Sequence, residues 1–377
     1  MGERAGRLRQ RAVVLALVGL STMMLAVSIS AAVPLSAGVT PKLGVQIIGQ
    51  APLSGDLIFW AGTRVVLVGT TPMPGRARTA VATFDPKTGA WSEPVTSLFT
   101  FPLYGTGGVW ARNELMVLGV RCRPSSLENE GACSPGSLAA ATFSIRDRSW
   151  KAMPVPDGYV RDIESGSPAF GYAVGWTGRE AVFKVARSLV AFNPRTKTWR
   201  QLPDPGDARV CAYGSRLVAV RTDAARELQA SLLREGDAAW QPAVAQTVGG
   251  TVAGAPEFIC GARGVLAISP QVDEVWLFDT KGGAWVAEPP APRELVKSSS
   301  PLGFVLFTDT AWTGSHFALW SPRGGVLFDP VRESWRAGRP GPTLRPFAHT
   351  QAWTDAYAFS TMRGRNGRVE FVTYKPG

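Results

Sequence analysis

The densest group of chemically reactive side chains in this sequence is a set of carboxylates in the segment DGYVRDIE, residues 157–164. Asp157, Asp162 and Glu164 lie in it, and Asp309 is a carboxylate that would approach from a separate loop. Two carboxylates that face each other across a pocket can act as general acid and as base or nucleophile on a glycosidic bond. The grouping permits an enzyme, a lyase or hydrolase acting on an anionic polysaccharide, but does not define one.

Metal and cofactor chemistry find less support. The chain has two histidines, His316 and His349, and neither stands in ligand-like spacing with another metal-binding residue. Walker loops, G-x-S-x-G elbows and H-E-x-x-H motifs are absent from the sequence. We therefore expect no catalytic constellation, no metal and no cofactor.

Two of the four cysteines flank a polar insertion. Cys122 and Cys133 enclose the segment RPSSLENEGA, and neither belongs to a C-x-x-C pair. A disulfide between them would staple this insertion, and we predict that bond. Disulfides persist in oxidising compartments, so the pair also favours export.

The N-terminus has the pattern of a targeting segment. Arg4, Arg7, Arg9 and Arg11 precede an uncharged apolar stretch from Ala12 to about Val33, and small residues follow it. This pattern predicts a cleaved signal peptide or a single N-terminal membrane anchor over residues 1–38. Positive charge before the apolar stretch places residues 39–377, expected to form one domain, outside the cytoplasm. The domain would be secreted or tethered to the outer face of the cytoplasmic membrane.

The overall charge favours acidic partners. The net charge is +11, and about +8 once the basic N-terminal segment is removed. A basic protein attracts anionic glycans, lipid headgroups or nucleic acid. The charges are scattered, however, without a run of five like signs, so we expect no nucleic-acid partner.

An internal repeat decides the fold. An apolar residue stands seven positions before a tryptophan six times: Phe84/Trp91, Phe143/Trp150, Phe192/Trp199, Leu233/Trp240, Phe278/Trp285 and Phe328/Trp335. Short polar turns separate the two members, and a proline follows each tryptophan within five residues. Such a repeat predicts four-stranded units that stack to bury both faces. Asp85, Asn193, Asp279 and Asp329 are predicted to cap the hairpin turns.

The segments that carry this repeat resemble a known family. AFNPRTKTWRQLP, LFDTKGGAWVAEP and TFDPKTGAWSEP are similar to kelch repeats, and AVGWTGREAVF resembles the first two strands of a galactose-oxidase-like propeller blade. The resemblance covers the chain from about residue 44. It departs from the family at the Gly-Gly doublet, which is here a single glycine or none. Copper ligands of the galactose-oxidase type are also missing, so that activity is not carried over.

The two ends of the chain give the blade count. The last unit stops after Tyr374-Lys375-Pro376, where its tryptophan strand should begin. VQIIGQAP, residues 45–52, has the ending of such a strand, with Ile48 in the place of the tryptophan. We therefore predict an all-β, seven-bladed kelch-like β-propeller with four-stranded antiparallel blades. Its last blade would be closed by the N-terminal strand, which removes a free edge.

The other two cysteines lie in the first strands of neighbouring repeats. Cys211 in VCAYGSR and Cys260 in ICGARG fall at equivalent positions of adjacent inner strands. A disulfide needs Cα atoms within about 7 Å. A bridge and two buried free thiols both remain open.

Propellers bind at the mouth of their central channel, on loops that join the fourth strand to the next first strand and the second strand to the third. The candidate ligand-binding residues on these loops are Tyr104, Arg121, Arg123, Tyr159, Arg161, Asp162, Glu164, Arg293, Lys297 and Arg345. Arginine beside tyrosine is a common recognition surface. The sequence thus favours an extracytoplasmic binding module for a protein or cell-envelope glycan. The polysaccharide enzyme and a non-catalytic structural scaffold are the alternatives.

Overall fold

The structure is a computed structural model. It describes residues 44–375 apart from 72–77, 100–102, 125–132, 157–171, 186–187, 244–245, 248–255, 271–272, 293, 296–308, 322–323, 339–351, 355–357 and 364–367. Across these described ranges every regular element is a β-strand. This agrees with the all-β prediction.

The first fifteen strands are β1 (Gly44–Gln50), β2 (Ser54–Trp60), β3 (Val65–Thr70), β4 (Thr79–Asp85), β5 (Ala90–Trp91), β6 (Val95–Thr96), β7 (Leu103–Ala111), β8 (Glu114–Pro124), β9 (Cys133–Ser144), β10 (Ser149–Ala152), β11 (Tyr172–Trp176), β12 (Ala181–Val185), β13 (Ser188–Asn193), β14 (Thr198–Leu202) and β15 (Arg209–Tyr213). The other fifteen are β16 (Arg216–Thr222), β17 (Glu227–Arg234), β18 (Gln241–Pro242), β19 (Gln246–Thr247), β20 (Glu257–Gly261), β21 (Gly264–Ile268), β22 (Val275–Asp279), β23 (Ala284–Glu288), β24 (Asp309–Trp312), β25 (Phe317–Ser321), β26 (Gly324–Asp329), β27 (Ser334–Gly338), β28 (Ala352–Trp353), β29 (Ala358–Arg363) and β30 (Val369–Lys375).

In the part of the chain that the structure describes, these strands form seven antiparallel sheets, the blades. Blades 1 to 6 begin with β2, β7, β11, β15, β20 and β24, and blade 7 combines β28, β29 and β30 with β1. In blades 1 and 4 the outer strand is broken, so β6 and β19 continue it. The first strands of consecutive blades contact each other from β28 through β2 and onward to β24, which makes them the inner strands of a ring.

The core lies between blades rather than within them. The buried apolar side chains that the structure describes fall into seven clusters, and each cluster joins two adjacent blades. The repeated aromatic pairs sit in these clusters. For example, Phe84 and Trp91 of blade 1 both pack on Phe371 of blade 7, with ring centroids 4.9 and 4.7 Å away. One blade covers the next, as the repeat predicted.

The polar hairpin between the last two strands has one geometry in several blades. The side chains of Asp85, Asn193, Asp279 and Asp329 each accept a backbone N–H two residues later, at 2.9 Å. Their predicted capping role is confirmed. The residue two before the tryptophan has positive φ, and it is Gly89, Arg148, Lys197, Gly283 or Glu333.

The tryptophans also bond across blades. Among the described residues an indole Nε1–H donates to a backbone carbonyl in four places: Trp150 to Val95, Trp199 to Pro154, Trp240 to Pro203 and Trp335 to Pro289. Each acceptor lies four residues after the tryptophan of the preceding blade. In three of the four places the acceptor is one of the prolines that recur after the tryptophans.

The ring is closed by the two ends of the described chain. Strand β1 pairs antiparallel with β30, and Ala51 N–H continues the ladder to the carbonyl of Val369 at 2.9 Å. The predicted closure is confirmed, but one detail of its register was wrong. Val45, not Ile48, lies opposite Tyr374, as Trp199 lies opposite Phe192 in blade 3. Ile48 is instead buried between blades 7 and 1.

Candidate functional site

The ligand-binding residues were predicted on what we call the loop face, where the fourth strand leads to the next inner strand and the second strand leads to the third. Tyr104, Arg121 and Arg123 occupy strands rather than loops, because β7 and β8 continue further than expected. Leu103 pairs with Arg121, so Tyr104 and Arg121 stand on neighbouring strands at one end of blade 2. Their side chains, and the whole of Tyr159, Arg161, Asp162, Glu164, Arg293, Lys297 and Arg345, lie outside the described residues.

The predicted Cys122–Cys133 bridge spans two paired strands. Cys122 lies opposite Pro135 in β9, and Cys133 lies opposite Pro124 in β8. The two cysteines are thus two register positions apart on facing strands. Their side chains are outside the described part, and the bridge stays a prediction.

Three polar residues that the sequence did not single out form a row at the loop-face mouth. Arg209 and Glu257 are the first residues of inner strands β15 and β20, and Thr310 is the second residue of β24. Burial raises the pKa of the Glu257 carboxyl, while the charge of Arg209 and a hydrogen bond with Thr310 lower it. Blades 4, 5 and 6 therefore present a guanidinium, a carboxyl and a hydroxyl side by side. No sequence motif marks them, since they become neighbours only in the ring.

The inner strands of blades 4 and 5 are joined covalently. Cys211 and Cys260 form a disulfide with their Cα atoms 5.7 Å apart, so the alternative of two free thiols was wrong. Their predicted equivalence was also wrong. Cys211 lies two residues before the end of β15, whereas Cys260 lies one residue before the end of β20.

This one-residue offset makes the bond possible. Successive side chains of a strand point to opposite faces of its sheet. Where two adjacent blades meet, one contributes the front face of its sheet and the other contributes the back face. A disulfide between their inner strands therefore needs two cysteines whose positions along the equivalent strands differ by an odd number of residues. Cys211 packs in the cluster between blades 4 and 5, and Ile259, beside Cys260, packs towards blade 6. Cys260 is thereby left facing Cys211.

A partly buried phenol lies next to the disulfide. The Tyr213 hydroxyl donates to the carbonyl of Gly264 and accepts the Gly261 N–H at 3.3 Å. Burial raises the pKa of Tyr213 well above its usual value, so the phenol stays neutral. The Tyr213 hydroxyl therefore links blades 4 and 5 through hydrogen bonds rather than acting as an acid or base.

The opposite face carries the turns between the first and second strands, and we call it the inner-turn face. On it the Glu180 carboxylate is buried and bound in a fork by Arg200, at 2.9 and 2.7 Å. The neighbouring Arg179 forms an ion pair with Glu235 of blade 4. Glu180, Arg200 and Glu235, together with Thr177 and Ser215, line a narrow cleft between blades 3 and 4. Both carboxylates already have arginine partners, so the cleft is an inter-blade ion-pair network.

His316, on the same face, is half-buried, with Nδ1 2.7 Å from Ser315 Oγ and Nε2 3.7 Å from Asp329 Oδ2. Burial, with Arg336 and Arg332 nearby, lowers its pKa despite the Asp329 carboxylate. Across the residues that the structure describes, no three His, Cys, Asp or Glu side chains gather into a metal site. Nor does this described portion hold a helix of the length and hydropathy needed to span a membrane.

The ring of blades and its closure by the pairing of β1 with β30, which we call the seam, define a seven-bladed β-propeller. No protein-family model matches the sequence, and no curated protein matches it. Among solved structures it is similar to a chain of the mitotic checkpoint complex, with a TM-score of 0.53, 11% identity, and coverage of 94% of this chain and 100% of that one.

It is also similar to the propeller domain of the trilobed protease from Pyrococcus furiosus (TM-score 0.51, 9% identity, 86% of this chain and 95% of that one). A third similar structure is the propeller domain of Cps50 (Swd1) from Myceliophteria thermophila, with a TM-score of 0.50, 11% identity, and coverage of 87% of this chain and 98% of that one. At such identities the likeness shows the fold alone, and kelch membership stays a prediction. The protease propeller is described as an open velcro, whereas here β1 pairs with β30.

Proposed function

We propose that the chain is an extracytoplasmic binding module that recognises a protein or cell-envelope glycan at its loop face. The propeller is a generic scaffold for interaction or catalysis, and its activity depends on the residues at its faces. The observation that carries the proposal is the row formed by Arg209, Glu257 and Thr310. A forked donor, a carboxyl acceptor and a hydroxyl, held on rigid inner strands, suit hydrogen bonding to a hydrated polar ligand.

The cellular location is supported by the Cys211–Cys260 disulfide. Buried disulfides of this kind are typical of proteins that mature in an oxidising compartment. The basic and apolar N-terminal segment supports the same location. An alkaline phosphatase fusion after residue 377 tests it, because that enzyme is active only where its own disulfides form. We expect activity in intact cells, and a fusion active only after transfer to an oxidising buffer would overturn export.

The binding site is tested with the full chain in a non-ionic detergent. Cell-envelope glycans and envelope proteins are offered to the wild type, to Glu257→Gln and to Thr310→Val, which keep the size of each side chain. We expect retention of one ligand by the wild type and a loss of about tenfold or more in affinity for the variants. Glu93→Gln is the matched control, since it removes the same charge from an exposed residue of blade 1.

Equal binding by Glu257→Gln, Thr310→Val and the control would contradict a site at this row. Cleavage of an offered polysaccharide, rather than its retention, would replace the binding module with the enzyme. Substitution of Arg121 and Arg123 by glutamine extends the test to the predicted loop-face residues of blade 2.

A further inference from the structure

The inner-turn face has its own charge pattern. In each of blades 1 to 5 an arginine lies in or beside the turn between the first and second strands, at Arg64, Arg112, Arg179, Arg216 and Arg263. Because the inner strands contact each other in sequence around the ring, these five turns surround one mouth of the central channel. The row of Arg209, Glu257 and Thr310 lies at the other mouth, where the inner strands begin.

Three of these arginines form no side-chain polar contact with the described residues. Arg64, Arg112 and Arg263 are exposed, and no hydrogen bond or ion pair joins their guanidinium groups to the described residues. The other two are engaged: Arg179 pairs with Glu235, and Arg216 donates to the carbonyl of Thr280 at 3.3 Å.

The carboxylates of the same turns do not cancel this charge. Glu180 has both oxygens bound by Arg200, and Glu114 is half-buried at the start of β8. Among the described residues of these five turns, the exposed charges without a partner are therefore positive.

Arg112 holds a φ of 58°, in the left-handed region, as Arg148, Lys197 and Glu333 do in other turns. Glycine and asparagine adopt this conformation most readily, so asparagine can replace Arg112 without added backbone strain.

We propose that the inner-turn mouth binds an anionic polysaccharide through Arg64, Arg112 and Arg263. The guanidinium fork matches carboxylate and sulfate groups, which repeat along such a chain. The other exposed residues of these turns are Gly62, Thr63, Asn113, Gly178, Gly214, Ser215 and Ala262. A small and polar surface between spaced arginines fits a hydrated sugar chain better than an apolar protein anchor. The inference rests on the proposed role as a binding module but uses the face opposite the Arg209–Glu257–Thr310 row.

The test compares two triple variants of the full chain in non-ionic detergent. Arg64→Gln, Arg112→Asn and Arg263→Gln remove the three unengaged charges, and asparagine tolerates the left-handed backbone at 112. Lys87→Gln, Lys151→Gln and Arg195→Gln remove the same charge from exposed residues away from the mouth. Thermal melting establishes that both variants fold. The probes are polygalacturonate, heparin, neutral dextran and poly-glutamate.

We expect the wild type to bind polygalacturonate or heparin but not dextran, with an affinity that falls as salt is added. The inner-turn variant should lose about tenfold or more in affinity, and the control variant less than about threefold. Equal losses in both variants would overturn the proposal, because the attraction would then follow net charge alone. Preference for poly-glutamate over both polysaccharides would overturn the ligand class.

The outcome is separable from the proposed function. A chain that retains an envelope ligand through Glu257 but no polyanion would refute only the inner-turn site. A chain whose polyanion binding survives Glu257→Gln and is lost in the inner-turn variant supports only that site.

Discussion

The indole Nε1 of Trp199 lies 2.7 Å from the carbonyl oxygen of Pro154, which follows the tryptophan of the preceding blade by four residues. The same offset recurs for Trp150, Trp240 and Trp335. Trp285 is the exception: its buried Nε1 has no partner among the described residues, and the equivalent acceptor, residue 244, lies outside them.

The bond of Trp199 can be tested directly. Trp199→Phe removes the indole Nε1–H donor and keeps an aromatic ring at this position. We expect it to lower the free energy of unfolding by about 1 kcal/mol, as urea denaturation measures. An unchanged free energy of unfolding would show that the inter-blade bond adds nothing to packing.

The disulfide between blades 4 and 5 should stabilise the fold strongly. It closes a loop over a sequence separation of 49 residues, for which chain entropy gives about 4 kcal/mol. Cys211→Ala with Cys260→Ala should therefore melt well below the wild type, and a reducing agent should lower the melting temperature of the wild type more than that of the variant. A variant as sensitive to reduction as the wild type would contradict a structural role for this bond.

Stability should also depend on pH through Glu288. Burial, followed by the nearby charge of Glu333, raises its pKa to about 7. The folded state then holds a proton that the unfolded state has released, so stability is greatest at acidic pH and falls as pH rises from about 4.5 to about 7. Glu288→Gln should flatten the melting temperature across this window and raise it at pH 8. Glu93→Gln, at an exposed site, should leave the slope as it is.

The left-handed position of the outer hairpin gives a stabilising substitution. Glycine occupies it at Gly89 and Gly283, whereas Lys197 holds a φ of 58° there. Lys197→Gly should raise the free energy of unfolding by about 0.5–1 kcal/mol, and Gly89→Ala should lower it by a similar amount. Thr196→Gly, one residue earlier in the same turn, should destabilise. A loss of stability in Lys197→Gly would show that the lysine side chain matters more than its backbone.

The seam predicts a sharp boundary for truncation. Removal of residues 1–39 leaves β1 intact, while removal of residues 1–52 deletes the strand paired with β30 and exposes Phe371. The longer truncation should therefore melt at a lower temperature and tend to aggregate through its free edge. Identical melting of the two chains would mean that β1 does not close the ring.

The architecture could be predicted from the sequence because one spacing, seven residues from an apolar residue to a tryptophan, recurs in every blade that carries a tryptophan strand. Such a repeat reports directly on strand pairing, and the turns capped by Asp85 and Asn193 followed from it. Strand register was harder to predict. It depends on turn lengths that similar sequence segments do not reveal, as the pairing of Val45 with Tyr374 and the one-residue offset between Cys211 and Cys260 show.

The sites were the least accessible to sequence reasoning. Arg209, Glu257 and Thr310 lie about fifty residues apart along the chain and share no motif, so only the ring makes them a group. The arginines of the inner turns do recur, but at slightly different positions in turns of different length. A search for fixed spacing therefore passes over them.

The pairing of β1 with β30 has a consequence for the order of biosynthesis. The first strand of the ring is among the earliest described residues to be made, and its partner, Val369–Lys375, is among the last. Until that final strand exists, blade 7 lacks a sheet for β1 to join, and the ring has an open gap. Closure therefore waits for the synthesis of β30, and a nascent polypeptide that ends before this strand lacks a closed ring.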